Sequence, residues 1–280
     1  MVLAELHVDA VKVAVLCSLL AVFAFLAFTA LKREHGRARG VNHAEILVLV
    51  DNTPNPSNPR LLNPWGLSLY VATPSATLLF DTGPSPDALR RNAEALGVNL
   101  SRVDCVVLSH GHGDHTGGLE ALSCGKVYGP PGTPASITVN DTLELAEGVY
   151  ALRPLYGPPW ETALLVNVEG YGGVLLVGCS HPGVVSLVRE ASRIARVRLV
   201  VGGFHMVGAT RRECESVATE LSRLGVERVC ALHCSGEVMR EVLSERGMLL
   251  DAHVGSRITV SSNGVRVEEV GSSAGPSAKS

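Results

Sequence analysis

Several protein classes are excluded by what this chain lacks. It has no CxxC pair, and its cysteines (Cys17, Cys105, Cys124, Cys179, Cys214, Cys230 and Cys234) are odd in number, which argues against a disulfide scaffold and against a structural zinc ribbon. Aromatic residues make up only 4% of the chain, too few for a platform that stacks nucleic-acid bases. Charge is sparse at 18%, and the formal net charge is −3, so no basic face for nucleic acid is expected. No internal repeat is present. What remains is a chain of 280 residues, 46% of them hydrophobic, long enough to bury a sizeable core and too apolar to stay unfolded. Most of the thiols then read as small core residues in a reducing compartment.

The N-terminal region stands apart in composition. Val13 to Leu31 is a run of nineteen residues without a charge, and as a helix it would span roughly 28 Å, close to the hydrocarbon thickness of a bilayer. A buried core helix or a cleaved signal peptide would share its apolar character. However, the preceding residues carry Glu5 and Asp9 against Lys12, and no small-residue cleavage site follows. A retained single-pass transmembrane helix is the expectation. Lys32, Arg33, Arg37 and Arg39 follow it, so the positive-inside rule puts the N-terminus outside and the rest of the chain in the cytoplasm. The expected organisation is a short segment at 1–12, an anchor at 13–31, a basic juxtamembrane linker at 32–43, one domain at 44–270 and a frayed tail at 271–280.

Within the domain, strand-like runs alternate with helical stretches. Strands are expected at Glu45–Asp51, Leu67–Ala72, Thr77–Asp81, Val103–Ser109, Ala163–Val168, Gly173–Val177, Arg198–Val201 and Arg228–Leu232. Helices are expected at Pro86–Leu96, Val184–Ala195, Arg211–Leu224 and Gly236–Arg246, three of them stopped by Gly97, Gly225 and Gly247. Asn263-Gly264 between two β-branched runs predicts a closing hairpin. Pro54–Pro64 and Tyr128–Pro134 read as loops. The whole is an α/β pattern of mixed sheets covered by helices.

The chemistry concentrates at strand ends. Ser109-His110-Gly111-His112-Gly113-Asp114-His115 offers three imidazoles and a carboxylate, all first-choice ligands for zinc, iron or manganese, and the glycines are expected to let the backbone turn sharply. In such a turn, His110 and His112 can address one metal while Asp114 and His115 address a second. His181, His205 and His233 each follow a hydrophobic run, as ligands converging on one sheet edge would. His7, His35, His43 and His253 have no such setting.

These residues carry a resemblance. SHGHGDHTGG is similar to the signature loop of the metallo-β-lactamase superfamily, and Phe80-Asp81-Thr82-Gly83 to that superfamily's first motif. Asp51-Asn52-Thr53, GLSLYV, LLFDTGPSP, NAEALGVNL, SHGHGDHTGGL, GCSHPGVV, GGFH and HCSG follow in the order seen in 7,8-dihydropterin-6-methyl-4-(β-D-ribofuranosyl)aminobenzene-5′-phosphate synthase-like proteins, over about residues 44 to 260. The resemblance implies a metallo-β-lactamase fold, a four-layer αββα sandwich, and two divalent transition metal ions, zinc first, with iron or manganese acceptable. It implies that His110 and His112 bind the first ion, that Asp114, His115 and His233 bind the second, and that Asp81 orients a ligand histidine. Two features depart from the pattern. No histidine lies between His115 and His181, and the strand that usually ends in Gly-Asp ends in Gly178-Cys179-Ser180-His181. His181 is the expected replacement ligand. Cys179 as a thiolate and Glu161 as a carboxylate are further candidates.

The implied activity joins a pterin methyl pyrophosphate to an arylamine with loss of pyrophosphate, as in methanopterin-type cofactor biosynthesis. Asp114 and His205 are the catalytic candidates and a phosphorylated small molecule is the substrate. His205 could equally be a ligand, a substrate contact or a packed residue. Two other readings stay open: a hydrolase of a phosphoester, lactone or thioester using hydroxide at the metals, with Asp114 positioning it, and a non-catalytic membrane-tethered metal-binding protein.

Overall fold

The computed structural model describes residues 39–270. The anchor at 13–31, most of the basic linker and the tail at 271–280 lie outside the described residues. Among the described residues, no helix is long and apolar enough to cross a membrane.

The strands in chain order are β1 (His43–Val50), β2 (Ser68–Ala72), β3 (Thr77–Phe80), β4 (Cys105–Val107), β5 (Val127–Gly129), β6 (Ile137–Thr138), β7 (Leu143–Ala146) and β8 (Val149–Ala151). They continue with β9 (Leu155–Tyr156), β10 (Trp160–Glu161), β11 (Leu164–Val168), β12 (Gly172–Val177), β13 (Val197–Gly202), β14 (Arg228–Ala231), β15 (Ser256–Ser261) and β16 (Gly264–Glu269). The helices are α1 (Pro86–Ala95), the single turn α2 (Gly113–Thr116), α3 (Val184–Ala191), α4 (Arg211–Arg223) and α5 (Glu237–Glu245). Two large sheets form, one in the order β16-β15-β1-β2-β3-β4-β5-β6 and the other β14-β13-β12-β11-β8-β7.

Side-chain alternation along β1 shows how the layers stack. Ile46 and Val48 enter a cluster with Leu164, Val166, Leu176 and Val201 of the second sheet, so this face lies between the sheets. Leu47 and Leu49 point the other way and pack with Leu79, Leu89 and Leu96 beneath α1. Both faces of β1 are therefore buried, which is why EILVLV reads as a continuous apolar run. Each such side chain stabilises the fold by about 2 kcal/mol. On the far side, α3 packs on β12 and α5 on β14, with α4 against both helices.

The expected strands and helices appear, some ends unchanged and the others moved by up to four residues. The Asn263-Gly264 turn joins β15 to β16, Ser261 opposite Gly264. Tyr128, expected in a loop, instead sits in β5, where it pairs in parallel with Val107 and Ile137; the partners, far apart in sequence, supply the order. The folded body also starts ahead of residue 44: Val41 is buried, and its N–H donates to Asn167 O at 2.9 Å.

Candidate metal centre

Strand direction decides where the polar residues gather. β3 and β4 are parallel, Phe80 beside Val107, so Asp81 and the Ser109–His115 loop leave the first sheet at one edge. β12, β13 and β14 are parallel too, Val177 beside Gly202 and Gly202 beside Ala231. Their C-terminal ends deliver Cys179 and His181, then His205, then His233. The two edges touch at Gly178, where a Cβ would lie 2.1 Å from Ser109 Oγ; only glycine fits. At the signature loop, by contrast, Gly111 and Gly113 have ordinary negative φ. Gly111 is required because a Cβ would lie 2.4 Å from Gly132 O, and Gly113 faces open space. The sharp turn expected of these glycines is not what they provide.

Two sets of donors result. In the first, the ring centroids of His110 and His112 are 4.7 Å apart, those of His110 and His181 4.6 Å, and those of His112 and His181 4.9 Å. In the second, His115 Nε2 lies 3.3 Å from His233 Nε2, and Asp114 Oδ2 lies 3.3 Å from His233 Nε2 and 3.8 Å from His115 Nε2. Cys179 stands where the sets meet. Its Sγ is 3.2 Å from His115 Nε2, and it falls within 4.8 Å of the ligand atoms of His110 and His181 and, separately, of His115 and His233.

The rings are held from behind. His115 Nδ1 donates to Asp81 Oδ2 at 2.7 Å, His181 Nδ1 to Glu161 Oε2 at 2.8 Å and His233 Nδ1 to Asn52 Oδ1 at 3.1 Å. Ser109 Oγ donates to Asp81 Oδ2 at 2.7 Å and so receives the Nδ1 proton of His110 at 2.8 Å. With Nδ1 protonated on all four rings, each Nε2 turns a lone pair to the centre, the arrangement typical of metal-ligating histidines.

Two observations say that a cation belongs among them. His110 Nε2 is buried and has no hydrogen-bond partner, a state that costs free energy unless something accepts its lone pair. His115 and His233 point two lone pairs at each other. Electrostatics agree. Burial and the neighbouring imidazoles of His115, His181 and His112 push His110 far below the usual histidine range, leaving it neutral as a ligand must be. Burial opposes ionisation of Asp114, but its bond to His233 and the nearby His115 bring its carboxyl down to about 2. For His115, burial disfavours positive charge and Asp81, Asp114 and Glu161 outweigh it, a field that equally favours a metal ion. The Cys179 thiol is held well above its ordinary range by Cys234 and by burial.

Glu161 is not among the donors. Its Oε1 accepts from Ser180 N at 2.7 Å, and its Oε2 accepts from His181 N at 2.8 Å as well as from the ring, so it fixes His181 rather than facing the centre. His205 is exposed at the rim, its ring centroid 4.7 Å from that of His181 and its N–H donating to Cys234 Sγ at 3.3 Å. Burial and His181 lower its pKa. It lines a cleft of about 580 Å³ together with Met206, Val207, Ala209 and Val217.

Residues to which the sequence assigned no role also shape the site. Asp51 Oδ1 accepts from His233 N at 2.7 Å while Asn52 holds the ring, so Asp51-Asn52 at the end of β1 supports the last histidine. The signal was an acidic and an amide residue directly after a buried strand. Trp65, 52% exposed, lies with its ring centroid 4.7 Å from His233.

Comparison with known proteins agrees with this geometry. Residues 66–187 match the metallo-beta-lactamase superfamily model. The 7,8-dihydropterin-6-methyl-4-(beta-D-ribofuranosyl)-aminobenzene-5′-phosphate synthase of Methanocaldococcus jannaschii is 28% identical, over 61% of this chain and 81% of the relative. The solved structure of Tm1679, described as a metal-dependent hydrolase of the beta-lactamase superfamily, shares 26% identity at a TM-score of 0.66 over 78% of this chain and 99% of that one. Human tRNase Z, short form, shares the fold alone, at 17% identity and a TM-score of 0.51 over 76% of this chain and 98% of its own. The strand-end histidines, the paired sheets and the stretch matched at residues 66–187 together show a metallo-β-lactamase domain in this chain.

Proposed function

We propose that this metal-dependent enzyme is a transferase that joins a pterin methyl pyrophosphate to the amino nitrogen of a ribofuranosylaminobenzene phosphate, releasing pyrophosphate. The M. jannaschii relative suggests the reaction by its name. The observation that carries the reading is an aromatic rim in a chain poor in aromatics. Trp65 lies against His233, and Trp160 pairs with Tyr156 at 5.1 Å between ring centroids on the hairpin whose Glu161 holds His181. Tyr156 and Trp160 stand on the β9–β10 hairpin, which carries Glu161 and whose Gly157 lies against the His181–Pro182 backbone. Exposed flat rings of this kind suit planar substrates such as a pterin and an aminobenzene.

His110, His112 and His181 would hold one ion and Asp114, His115 and His233 the other, zinc being favoured over iron or manganese. When bound, the ions neutralise charge that builds on the departing pyrophosphate. The C–N bond forms as the C–O bond to pyrophosphate breaks, and the arylamine loses a proton. His205, neutral and at the rim, accepts that proton, while Trp65 and the Tyr156–Trp160 pair orient the rings. The likeness to Tm1679 favours a second reading, hydrolysis of a phosphoester, lactone or thioester at the same centre, with Asp114 positioning the attacking water. The uncharged Val13–Leu31 segment supports a single-pass anchor with the domain on the cytoplasmic side, which membrane fractionation would test.

Incubating the metal-loaded chain with both substrates and detecting products by mass decides between the reactions. Coupled product together with pyrophosphate supports the transferase; pyrophosphate without coupled product sinks it in favour of the hydrolase.

A further inference from the structure

We infer that Cys179 is a ligand shared by both halves of the metal centre, its thiolate bound between the two histidine sets. The inference rests on the metal-centre reading and not on the coupling reaction. Four observations carry it. First, Cys179 Sγ lies within 4.8 Å of ligand atoms of His110 and His181 in one set and of His115 and His233 in the other, whereas Cys234 groups only with Cys179 and His205 among the described residues. Second, its backbone is fixed: the Ser180 and His181 N–H groups are both held by Glu161, Ser180 Oγ donates to Gly203 O at 2.7 Å, and Ser180 has φ 63°. The turn that follows Cys179 is thus held in place, with Sγ 3.2 Å from His115 Nε2. Third, His110 Nε2, buried and unpartnered, belongs to the same donor group as Cys179 and His181. A thiol donating to His115 Nε2 would satisfy that nitrogen alone and leave His110 Nε2 without a partner.

The fourth argument is the donor count. Three neutral imidazoles, His110, His112 and His181, would hold a divalent ion with no anionic protein ligand. The second set has His115, His233 and Asp114. One shared thiolate brings each set to four donors, the number tetrahedral zinc takes, and gives the first set its negative charge. The thiol proton leaves to solvent as the metal–sulfur bonds form, since a coordinating metal deprotonates a thiol outright. Soft sulfur at the shared position also favours zinc or iron over manganese and magnesium.

The test is spectroscopic and uses no substrate, so it stands or falls apart from the proposed reaction. The full chain, stripped and reloaded with cobalt(II), should show a near-ultraviolet thiolate-to-cobalt charge-transfer band. The band should vanish in Cys179→Ser and persist in Cys234→Ser, and the serine variant at 179 should retain at most about half of the bound metal. X-ray absorption on the unmodified zinc-loaded chain, which needs no variant to fold, should show a sulfur at about 2.3 Å beside nitrogen and oxygen at about 2.0–2.2 Å. A cobalt-loaded chain without the band, a band that survives Cys179→Ser, or a zinc shell of nitrogen and oxygen alone would each overturn the assignment.

Discussion

Asp81 (φ 60°), Ser180 (φ 63°), His205 (φ 54°) and His233 (φ 49°) are the non-glycine residues with left-handed backbone among the described positions, and all four stand at strand ends around the metal centre. Each such conformation costs on the order of 1–3 kcal/mol and persists only where its surroundings hold it. At Asp81 the hold is visible: one carboxylate accepts from Ser109 N, Ser109 Oγ and His115 Nδ1, each at 2.7 Å. Asp81→Ala strands three buried donors. Denaturant unfolding of the metal-free chain should show a loss of about 3 kcal/mol or more, and metal affinity should fall about 10–100-fold because His110 and His115 lose their tethers. A variant with unchanged stability and metal affinity would contradict that role. At this scale the signature histidines were legible because HxHxDH packs its donors into one local turn. His181 and His233 were legible from the hydrophobic runs that precede them. The roles of Asn52, Cys234 and Trp65 were not, because each meets its partner in the site across a long separation in sequence. Glu161, read as a spare ligand, faces the wrong way for one, which becomes visible only once the turn after β12 is known.

Among the elements, α1 does more than cover a sheet. Asn92, fully buried in it, donates through Nδ2 to Leu49 O and Leu62 O at 2.7 Å each and accepts from Leu62 N at 2.8 Å. It thereby ties the end of β1 to the long loop that carries Trp65. Asn92→Leu leaves one N–H and two carbonyls unpaired in the interior, so chemical unfolding should report a loss of about 2–4 kcal/mol, with Trp65 fluorescence moving towards that of a solvated indole. A variant as stable as the parent with an unchanged emission spectrum would show that the loop is held by other means. The long, strongly patterned elements were legible: EILVLV, the 184–191 and 211–223 helices, the Asn-Gly hairpin. β9 and β10, two residues each, were not, since no periodicity can show in so short a run; yet this hairpin carries Glu161 and the Tyr156–Trp160 pair. Gly111 was misread for a related reason. Its need is a neighbouring carbonyl from Gly132, a tertiary contact invisible in the loop's own sequence.

In the whole molecule, parallel strands of two sheets end at a common edge and bring two sets of candidate metal donors face to face. The α/β class and the layering follow from the apolar pattern; the convergence follows from strand direction, which the pattern alone does not state. Residues 39–270 are proposed to hold a centre for two ions, completed by His181 and His233 from strands remote from the signature loop. The most direct measurement is the transition-metal content of the purified full chain after reconstitution with zinc and removal of loosely bound ions, compared with His110→Ala and His233→Ala. The account predicts about two zinc ions per chain for the parent and about one for each variant, each substitution emptying its own half. A parent chain that retains no metal, or variants that retain as much as the parent, would contradict it.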